Sequence, residues 1–232
     1  MKNKGFKITL TISTLGLILI SSFFIKKKIF DTNIKVEDIS LNNSVHAYEV
    51  FTPNSPMELA KEGASLNKDV QIKNTALTNT LVRVDFDYSF ENKSLDKNKI
   101  HLNTENVITI DDIKIVDESL HKDCLEKWVE VDIDNKVYYY YLGNIAPDGF
   151  STKLLDSINL VDLSYSDNAY KQQKVDIVVN CFGTTSNEDG ILSDSFLLNQ
   201  NDHQKLIEAL KIVSNSFPSL GKKIEGAKLI RS

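Results

Sequence analysis

The amino-acid sequence predicts an all-β protein: an antiparallel β-sandwich of jelly-roll type with short helices, a C-terminal helix and a hydrophobic helix at its N-terminus. Two observations predict this fold. Apolar and polar residues alternate in several short segments, and turn-forming residues separate them, as is typical of strands that bury one face. No pattern of helix length alternates with the strands, which disfavours a parallel, doubly wound sheet. With 232 residues, 41% of them hydrophobic, the chain is long enough for one domain with a buried core.

The N-terminal helix is predicted at residues 8–25, which carry no charge and have lysines on both sides. Eighteen helical residues extend about 27 Å, close to the thickness of the hydrocarbon layer of a membrane. We expect this segment, within a leader of residues 1–33, to direct export as a signal peptide or as an uncleaved membrane anchor. Ser21 and Ser22 are the small residues at which a signal peptidase would cut. Either alternative places the rest of the chain at the cell surface or outside the cell.

Charge is distributed unevenly between this leader and the rest of the chain. Residues 1–33 contain six lysines and one aspartate, a net charge of +5, whereas the whole chain carries -5. The body that follows is therefore strongly acidic, at -10. This acidity argues against binding to nucleic acid and against direct adhesion to anionic lipid, so contact with a membrane is expected through the N-terminal segment.

The predicted strands lie in residues 34–195, the predicted sandwich domain. Alternation is strongest between Leu81 and Phe90, where five apolar side chains share one face and Arg83 lies with aspartates on the other. The remaining predicted strands are at residues 70–72, 129–133, 138–141 and 175–181, with weaker candidates at 34–41, 45–51 and 107–116.

Helical patterns are few and concentrated near the C-terminus. Residues 196–232 contain the predicted C-terminal helix, which begins at Asp202 and ends before Pro218, followed by a polar tail. The apolar residues of this helix are three or four positions apart, so it has one apolar face. Two short helices are predicted near residues 57–64 and 120–127.

Tyrosine and arginine side chains are candidates for contact with another subunit. The run Tyr138 to Tyr141 sends two rings to each face of its strand, so one pair fills the core while Tyr138 and Tyr140 form an exposed aromatic surface. Tyrosine is enriched in protein interfaces, which favours a role in self-association. The alternative is a strand buried on both faces. Arg83 is expected to pair with a carboxylate on a neighbouring strand and is a further candidate for interaction.

The sequence contains no recognisable catalytic, cofactor or metal site. It has no His-Glu-x-x-His pair, no Gly-x-Ser-x-Gly elbow and no Gly-rich phosphate loop. His121 and Cys124 form the one compact His/Cys pair, and a zinc site would need two more ligands from elsewhere. The acidic pairs Asp111–Asp112 and Asp132–Asp134 are interpreted as solvated turn residues rather than calcium ligands. The four histidines are isolated in the sequence: His46, His101, His121 and His203.

The two cysteines, Cys124 and Cys181, leave two alternatives open. An oxidising compartment outside the membrane would permit a disulfide between them, which would restrain a loop of more than fifty residues. Alternatively, both are buried thiols.

Three motifs follow one another in the body of the chain. An Asn-Thr turn at residues 74–80 leads into a Val-Arg-Val strand, Trp128 precedes the tyrosine-rich strand, and a Pro-Asp-Gly turn leads into residues 152–158. In this order and spacing they resemble the TasA/camelysin family, biofilm-matrix proteins of Gram-positive bacteria that a SipW-type signal peptidase processes. The resemblance covers roughly residues 34–181.

This resemblance implies an exported cell-surface or biofilm-matrix protein that a signal peptidase processes and that associates with itself into extracellular fibres. A sandwich with an open sheet edge accepts an extended segment of a neighbour through main-chain hydrogen bonds. The expected donor is Ile34–Leu41, with Ile34 and Val36 as contact residues. Two other functions stay open: a camelysin-like metal-dependent peptidase, and a membrane-anchored extracytoplasmic binding module or minor pilin-like subunit.

Overall fold

The computed structural model of the protein describes residues 33–38, 45–51, 65–161, 168–170, 173–198 and 203–230. Within these residues β-strands predominate and helices are few and short, which confirms the all-β prediction. The hydrophobic segment at 8–25 and the predicted helix at 57–64 lie outside the described residues.

The strands and helices are numbered here in chain order. The strands are β1 (Asn33–Asp38), β2 (Val45–Phe51), β3 (Ser65–Asn74), β4 (Thr80–Phe90), β5 (Ile100–Thr104), β6 (Val107–Thr109), β7 (Ile115–Val116), β8 (Ser119–Leu120), β9 (Trp128–Ile133), β10 (Lys136–Tyr141), β11 (Leu155–Leu160), β12 (Val175–Thr185) and β13 (Lys228–Leu229). The α-helices are α1 (Glu188–Ile191), α2 (Asp194–Leu197) and α3 (Gln204–Ser214).

Most of these strands belong to two sheets that pack face to face. The described strands of the larger sheet have the order β1-β12-β4-β10-β9-β6, and those of the smaller sheet have the order β13-β2-β3-β11-β5. Neighbouring strands are antiparallel except for two parallel pairs, β1 with β12 and β6 with β9. Strands β7 and β8 form a separate hairpin.

The inner core lies between the two sheets, where apolar side chains alternate along each strand. Val82 and Val84 of the larger sheet and Val70 and Ile72 of the smaller sheet are fully buried there. Trp128 is also buried in this layer, and its indole N–H donates a hydrogen bond to the Thr152 carbonyl at 3.3 Å. Burying one such side chain contributes about 1.5–3 kcal/mol, so this layer is a main source of stability.

A second apolar layer covers the opposite, outer face of the larger sheet. Leu81, Val129 and Tyr140 project from this face and pack against the C-terminal helices. The buried residues of α3 are spaced as its sequence predicts: Leu206, Ile207, Ala209, Leu210 and Val213. The larger sheet is therefore covered on both faces where the helices lie, and residues 204–214 belong to the core of the protein.

Two sequence predictions are wrong in detail, because turns occupy part of each predicted segment. The strand predicted at 107–116 is divided by a turn, because the Asp112 carboxylate accepts hydrogen bonds from the main-chain N–H and the hydroxyl of Thr109 at 3.0 and 2.7 Å. The helix predicted at 120–127 is absent, since residues 122–126 form turns. Glu126 there has φ of +58°, a left-handed conformation that an α-helix does not contain.

One lysine joins three carboxylates on the smaller-sheet side of the molecule. The ammonium of Lys153 lies 3.1 Å from a carboxylate oxygen of Asp69, 2.6 Å from one of Glu105 and 2.6 Å from one of Asp156. Burial lowers the pKa of Lys153, but its hydrogen bonds to the three carboxylates outweigh burial and raise it. The hydrogen bond from Lys153 is also the main reason that the pKa of Asp156 is lowered.

We expect Lys153→Met to destabilise the protein by about 1–2 kcal/mol at pH 7, because three partly exposed ion pairs are lost and like charges remain together. A carboxyl group whose pKa is lowered by folding binds more protons in the unfolded state, so it stabilises the fold above its ordinary pKa of 3.8, and this contribution is lost as pH falls. Urea titrations at pH 7 and pH 3 should therefore show the gap between wild type and variant shrinking in acid.

The matched control is Lys174→Met, which removes a looser ion pair with Glu91 at 3.7 Å. We expect a loss below about 0.5 kcal/mol for this change. A Lys153→Met defect that is equally large at both pH values would show that lost packing, not charge, accounts for it.

Candidate functional site

The predicted donor segment is the edge strand of the larger sheet. Residues 33–38 form β1, which pairs in parallel with residues 176–181 of β12; Ile34 lies opposite Ile177, and Val36 lies opposite Val179. The rest of the predicted donor, residues 39–41, lies outside the described residues. In this chain, therefore, the segment expected to enter a neighbour pairs with its own β12.

The partner strand is held firmly from its other side. All eleven residues of β12 pair with β4, from Val175 opposite Phe90 to Thr185 opposite Thr80. Val175, Ile177 and Val179 are buried in the inner core. The edge on which β1 lies is thus a fixed part of the sandwich, and β1 adds to it through main-chain pairing.

Among the described residues, Arg83 has no carboxylate partner of the kind predicted; it binds the C-terminal helices. Its side chain is 5% exposed, and Nη1 donates hydrogen bonds to the carbonyl oxygens of Ser195 at 2.8 Å and Phe196 at 2.9 Å. The guanidinium also lies over the rings of Tyr138 and Phe182, 5.3 and 5.0 Å from their centroids. The carbonyl groups near the end of α2 have few hydrogen-bond donors within their own helix, and Arg83 donates hydrogen bonds to them.

The expected exposed pair of tyrosines is also wrong, because the helices cover this face of β10. Tyr140 is 1% exposed; its hydroxyl donates a hydrogen bond to the Phe196 carbonyl at 3.1 Å, and the two rings meet edge to face. Burial raises the pKa of Tyr140 to about 12, against the opposing effect of Arg83. Tyr138 is half-buried beside Arg83. We call Arg83, Tyr138, Tyr140, Phe182 and Phe196 the arginine clamp.

A charged cluster continues along the same face beyond the clamp. The Lys136 ammonium lies 2.6 Å from Asp85 Oδ1 and 3.1 Å from Asp87 Oδ1. The Asn180 side-chain amide donates to both carboxylates, at 2.7 and 2.8 Å. Burial lowers the pKa of Lys136, but the two carboxylates raise it by more. Asp85 is the carboxylate nearest to Arg83 in sequence on the same face of the sheet. Its partners are Lys136 and Asn180.

A groove opens between the two sheets near the last residues of β4. Its volume is 830 Å³, and the larger sheet contributes three rings, those of Phe86, Tyr88 and Tyr139. Ile100 and Leu102 of β5 line the other side. We call it the aromatic groove. Sequence reasoning missed it because β5 was not predicted as a strand, so nothing placed its side chains opposite the rings.

Charged side chains surround the aromatic groove. Glu130, Asp87, Lys97 and Lys136 are among the residues that line it. Burial raises the pKa of Tyr139, and the nearby charge of Glu130 raises it further. Lys97 lies 6.0 Å from the centroid of the Tyr88 ring. The groove therefore combines aromatic and aliphatic side chains with polar and charged ones, a combination suited to a ligand or partner that presents both kinds of group.

Both cysteines belong to the described part of the chain, and no disulfide joins them. Cys181 lies in the inner core, whereas Cys124 lies in the layer under the helices, where its sulfur is 3.6 Å from the Asp112 carbonyl oxygen. These layers are on opposite faces of the larger sheet. The disulfide alternative is thus excluded by the sheet between them, and the alternative of two buried thiols describes the structure.

The remaining candidate residues of the sequence stay apart in space. Among the described residues, no three His, Cys, Asp or Glu side chains come together as a metal site would require. The Asp132 carboxylate accepts a hydrogen bond from the Asn135 main-chain N–H at 3.1 Å, and His121 lies 3.5 Å from Asp123. These groups stabilise turns. In the described residues no helix has the length and apolar character needed to cross a membrane.

No family model matches the sequence, and no curated protein matches it. The edge pairing of β1 and the aromatic groove are the structural features that bear on function.

Proposed function

We propose that this protein is an exported structural protein of the cell surface or biofilm matrix of a Gram-positive bacterium, whose copies assemble into extracellular fibres by strand addition. The observation that carries the proposal is the pairing of β1 with β12 at the edge of the larger sheet. A terminal strand that pairs with its own sheet edge can pair with the same edge of another copy.

Such an exchange costs little free energy. Moving β1 from its own β12 to that of a neighbour preserves the same register and the same main-chain hydrogen bonds, so little free energy is lost. Each copy that donates β1 also leaves its own edge open for the next donor. An open edge presents unpaired N–H and C=O groups, which favours continued growth.

The proposal includes the finer fold, a jelly roll. Successive strands cross between the sheets from β1 to β2, from β3 to β4, from β4 to β5, from β5 to β6, from β10 to β11 and from β11 to β12. Repeated crossing of this kind supports a jelly-roll connection of the two sheets. It also supports a rigid subunit, because each sheet is tied to the other at several points.

The proposed location follows from the leader. Residues 8–25 would direct export, a signal peptidase would process the leader, and the acidic body would remain outside the membrane. An uncleaved leader would instead leave a membrane-anchored binding module. The aromatic groove favours that second candidate, since a pocket with three rings is suited to a ligand.

The test replaces two adjacent residues of β1 in the secreted protein. In a parallel strand, the main-chain N–H groups of alternate residues point toward the neighbouring strand. Lys35→Pro/Val36→Pro therefore removes at least one N–H group that points toward β12. Electron microscopy and sedimentation should show fibres for wild type and none for this variant. The control Lys35→Gln/Val36→Ile keeps both donors and should form fibres.

Two further measurements make the result specific. A synthetic peptide of residues 33–41 should stop the growth of wild-type fibres by occupying open β12 edges, whereas a scrambled peptide should not. N-terminal sequencing of the secreted protein should find a shortened chain. Fibres that form equally well from the proline variant would disprove strand addition, and an intact N-terminus on a fibre-free, membrane-bound protein would favour the anchored module.

A further inference from the structure

Three large apolar side chains project into solvent at the end of the sandwich where β4 begins. Leu77 is 96% exposed, Phe217 is 100% exposed and Leu220 is 71% exposed. Leu77 lies in the turn between β3 and β4, while Phe217 and Leu220 follow α3. We call these three residues the apolar end. Exposed apolar side chains of this size favour burial against a partner.

Hydrogen bonds hold the apolar end together. The Ser219 N–H donates to the Asn144 carbonyl at 2.7 Å, and the Ala146 N–H donates to the Ser219 carbonyl at 2.9 Å. Residues 144–149, which bind Ser219, also contact the turn of Leu77, since the Asn74 N–H donates to the Gly149 carbonyl at 3.0 Å. Phe217 and Leu220 are therefore presented by an anchored segment beside the Leu77 turn.

The aromatic groove lies toward the other end of β4. This strand begins at Thr80, beside the apolar end, and its residues 86–89 line the groove. A strand rises about 3.3 Å per residue, which separates the two surfaces by roughly 20–30 Å. The apolar end of one copy cannot reach the groove of the same copy, but it can reach that of another.

The net charges of the two surfaces are opposite in sign. At the apolar end, Lys222 and Lys223 follow Leu220 and are exposed, while the carboxylate of Glu126 accepts a hydrogen bond from the Ser219 hydroxyl. At the groove, carboxylates outnumber ammonium groups: the lining contains Lys97, Lys136, Asp87 and Glu130, and the exposed Asp132 and Asp134 lie on the adjoining β9–β10 hairpin. Opposite charges at facing surfaces steer association and fix its orientation.

We infer that the apolar end of one copy docks into the aromatic groove of the next copy, with Lys222 and Lys223 beside the acidic hairpin. The contact joins two different surfaces, so it repeats in one direction and builds a filament rather than a closed dimer. The inference rests on the proposed function, because it presupposes that copies assemble, and it adds a second contact to the exchange of β1.

The decisive experiment changes the charges on each surface separately. Lys222→Glu/Lys223→Glu alters the apolar end, and Glu130→Lys/Asp132→Asn alters the groove margin. All four residues are exposed, and asparagine keeps a side-chain oxygen that can accept the hydrogen bond from the Asn135 main-chain N–H, so the fold should be kept. Each variant alone should elongate at least tenfold more slowly than wild type at low salt, measured by light scattering and electron microscopy. An equimolar mixture should recover elongation, because each altered end then meets an altered groove.

The control Lys114→Glu/Lys122→Glu makes the same change of charge at two other exposed lysines and should elongate like wild type. Phe217→Ser/Leu220→Ser should also slow elongation at least tenfold, with unchanged urea unfolding of the monomer.

The outcomes separate this inference from the proposed function. If Lys35→Pro/Val36→Pro abolishes fibres while the apolar-end variants elongate normally, the docking contact is disproved and strand addition stands. If the proline variant still shows reversible, charge-dependent head-to-tail association in sedimentation, the docking contact is supported independently of β1. Loss of binding to anionic vesicles by Phe217→Ser/Leu220→Ser, with fibre growth unaffected, would disprove docking and identify a lipid surface as the occupant.

Discussion

Replacing Arg83 by alanine is expected to lower the free energy of unfolding by about 3–4 kcal/mol and to loosen the helices that follow β12. The change removes two hydrogen bonds from a charged donor, each contributing about 1.5–3 kcal/mol, and two contacts between the guanidinium and aromatic rings. It also leaves the Ser195 carbonyl without this donor and opens a cavity in the arginine clamp. Urea unfolding measures the loss.

Graded variants distinguish the parts of this effect. Arg83→Met keeps apolar volume and should lose about half as much, since the cavity is filled. Tyr140→Phe removes only the hydrogen bond to the Phe196 carbonyl and should lose about 1 kcal/mol. Hydrogen exchange should show faster exchange in residues 188–198 and 204–214 for Arg83→Ala. Unchanged exchange there would contradict the assignment of Arg83 as the residue that holds the helices.

Replacing Glu49 by leucine is expected to destabilise the protein by about 3–5 kcal/mol, because it removes the carboxylate beside a buried ammonium group. The side chain of Lys68 is 1% exposed, and its Nζ lies 2.6 Å from Glu49 Oε2. Burial lowers the pKa of Lys68, with Glu49 acting in the opposite direction. Without Glu49, the free-energy cost of burying the Lys68 charge is less fully offset. The folded state therefore loses more free energy than an ion pair exposed to water would contribute.

The pH dependence of this variant follows from the sign of the Lys68 shift. A lysine whose pKa is lowered by folding binds more protons in the unfolded state, so the penalty for its burial applies at low pH and is relieved as pH rises toward 10.5. Glu49→Leu, in which the pKa of Lys68 falls further, should regain stability between pH 7 and pH 10. Wild type should regain less.

A double-mutant cycle completes the test. Lys68→Met alone leaves Glu49, whose side chain is 22% exposed and keeps contact with water, and should lose about 1–2 kcal/mol. Lys68→Met/Glu49→Leu should be within about 1 kcal/mol of wild type, since two apolar side chains can replace a buried ion pair. A double variant as unstable as Glu49→Leu would show that lost packing, rather than the buried charge, is responsible.

Local patterns were sufficient to predict the strands that bury one face. The alternation of Leu81–Phe90 and the apolar spacing of α3 correspond closely to β4 and to residues 204–214, because each depends on neighbours within the same element. β5 and β11 were missed as strands. Their sequences, Ile-His-Leu-Asn-Thr and Leu-Asp-Ser-Ile-Asn-Leu, carry polar residues that weaken the alternation.

The candidate site was harder to predict because its contacts are between residues distant in sequence. Tyr140 was expected on an exposed face, but Phe196, 56 residues later, covers it. Arg83 was expected to meet a carboxylate and instead binds carbonyls 112 and 113 residues away. A strand was predicted at 34–41, where β1 covers Asn33–Asp38, whereas its parallel pairing with β12 could not be predicted, since a strand's pattern does not specify its partner.

For a protein exported as proposed, the pairing of β1 with β12 would also set the order of events during export. Ile34 and Ile177 are 143 positions apart, so a chain that crossed the membrane from its N-terminus would present β1 long before its own β12 emerged. Closing so large a loop is slow compared with local folding. During that interval β1 of the emerging chain would meet the open edges of copies already outside, and the rate of secretion would govern how many chains join a fibre and how many close on themselves.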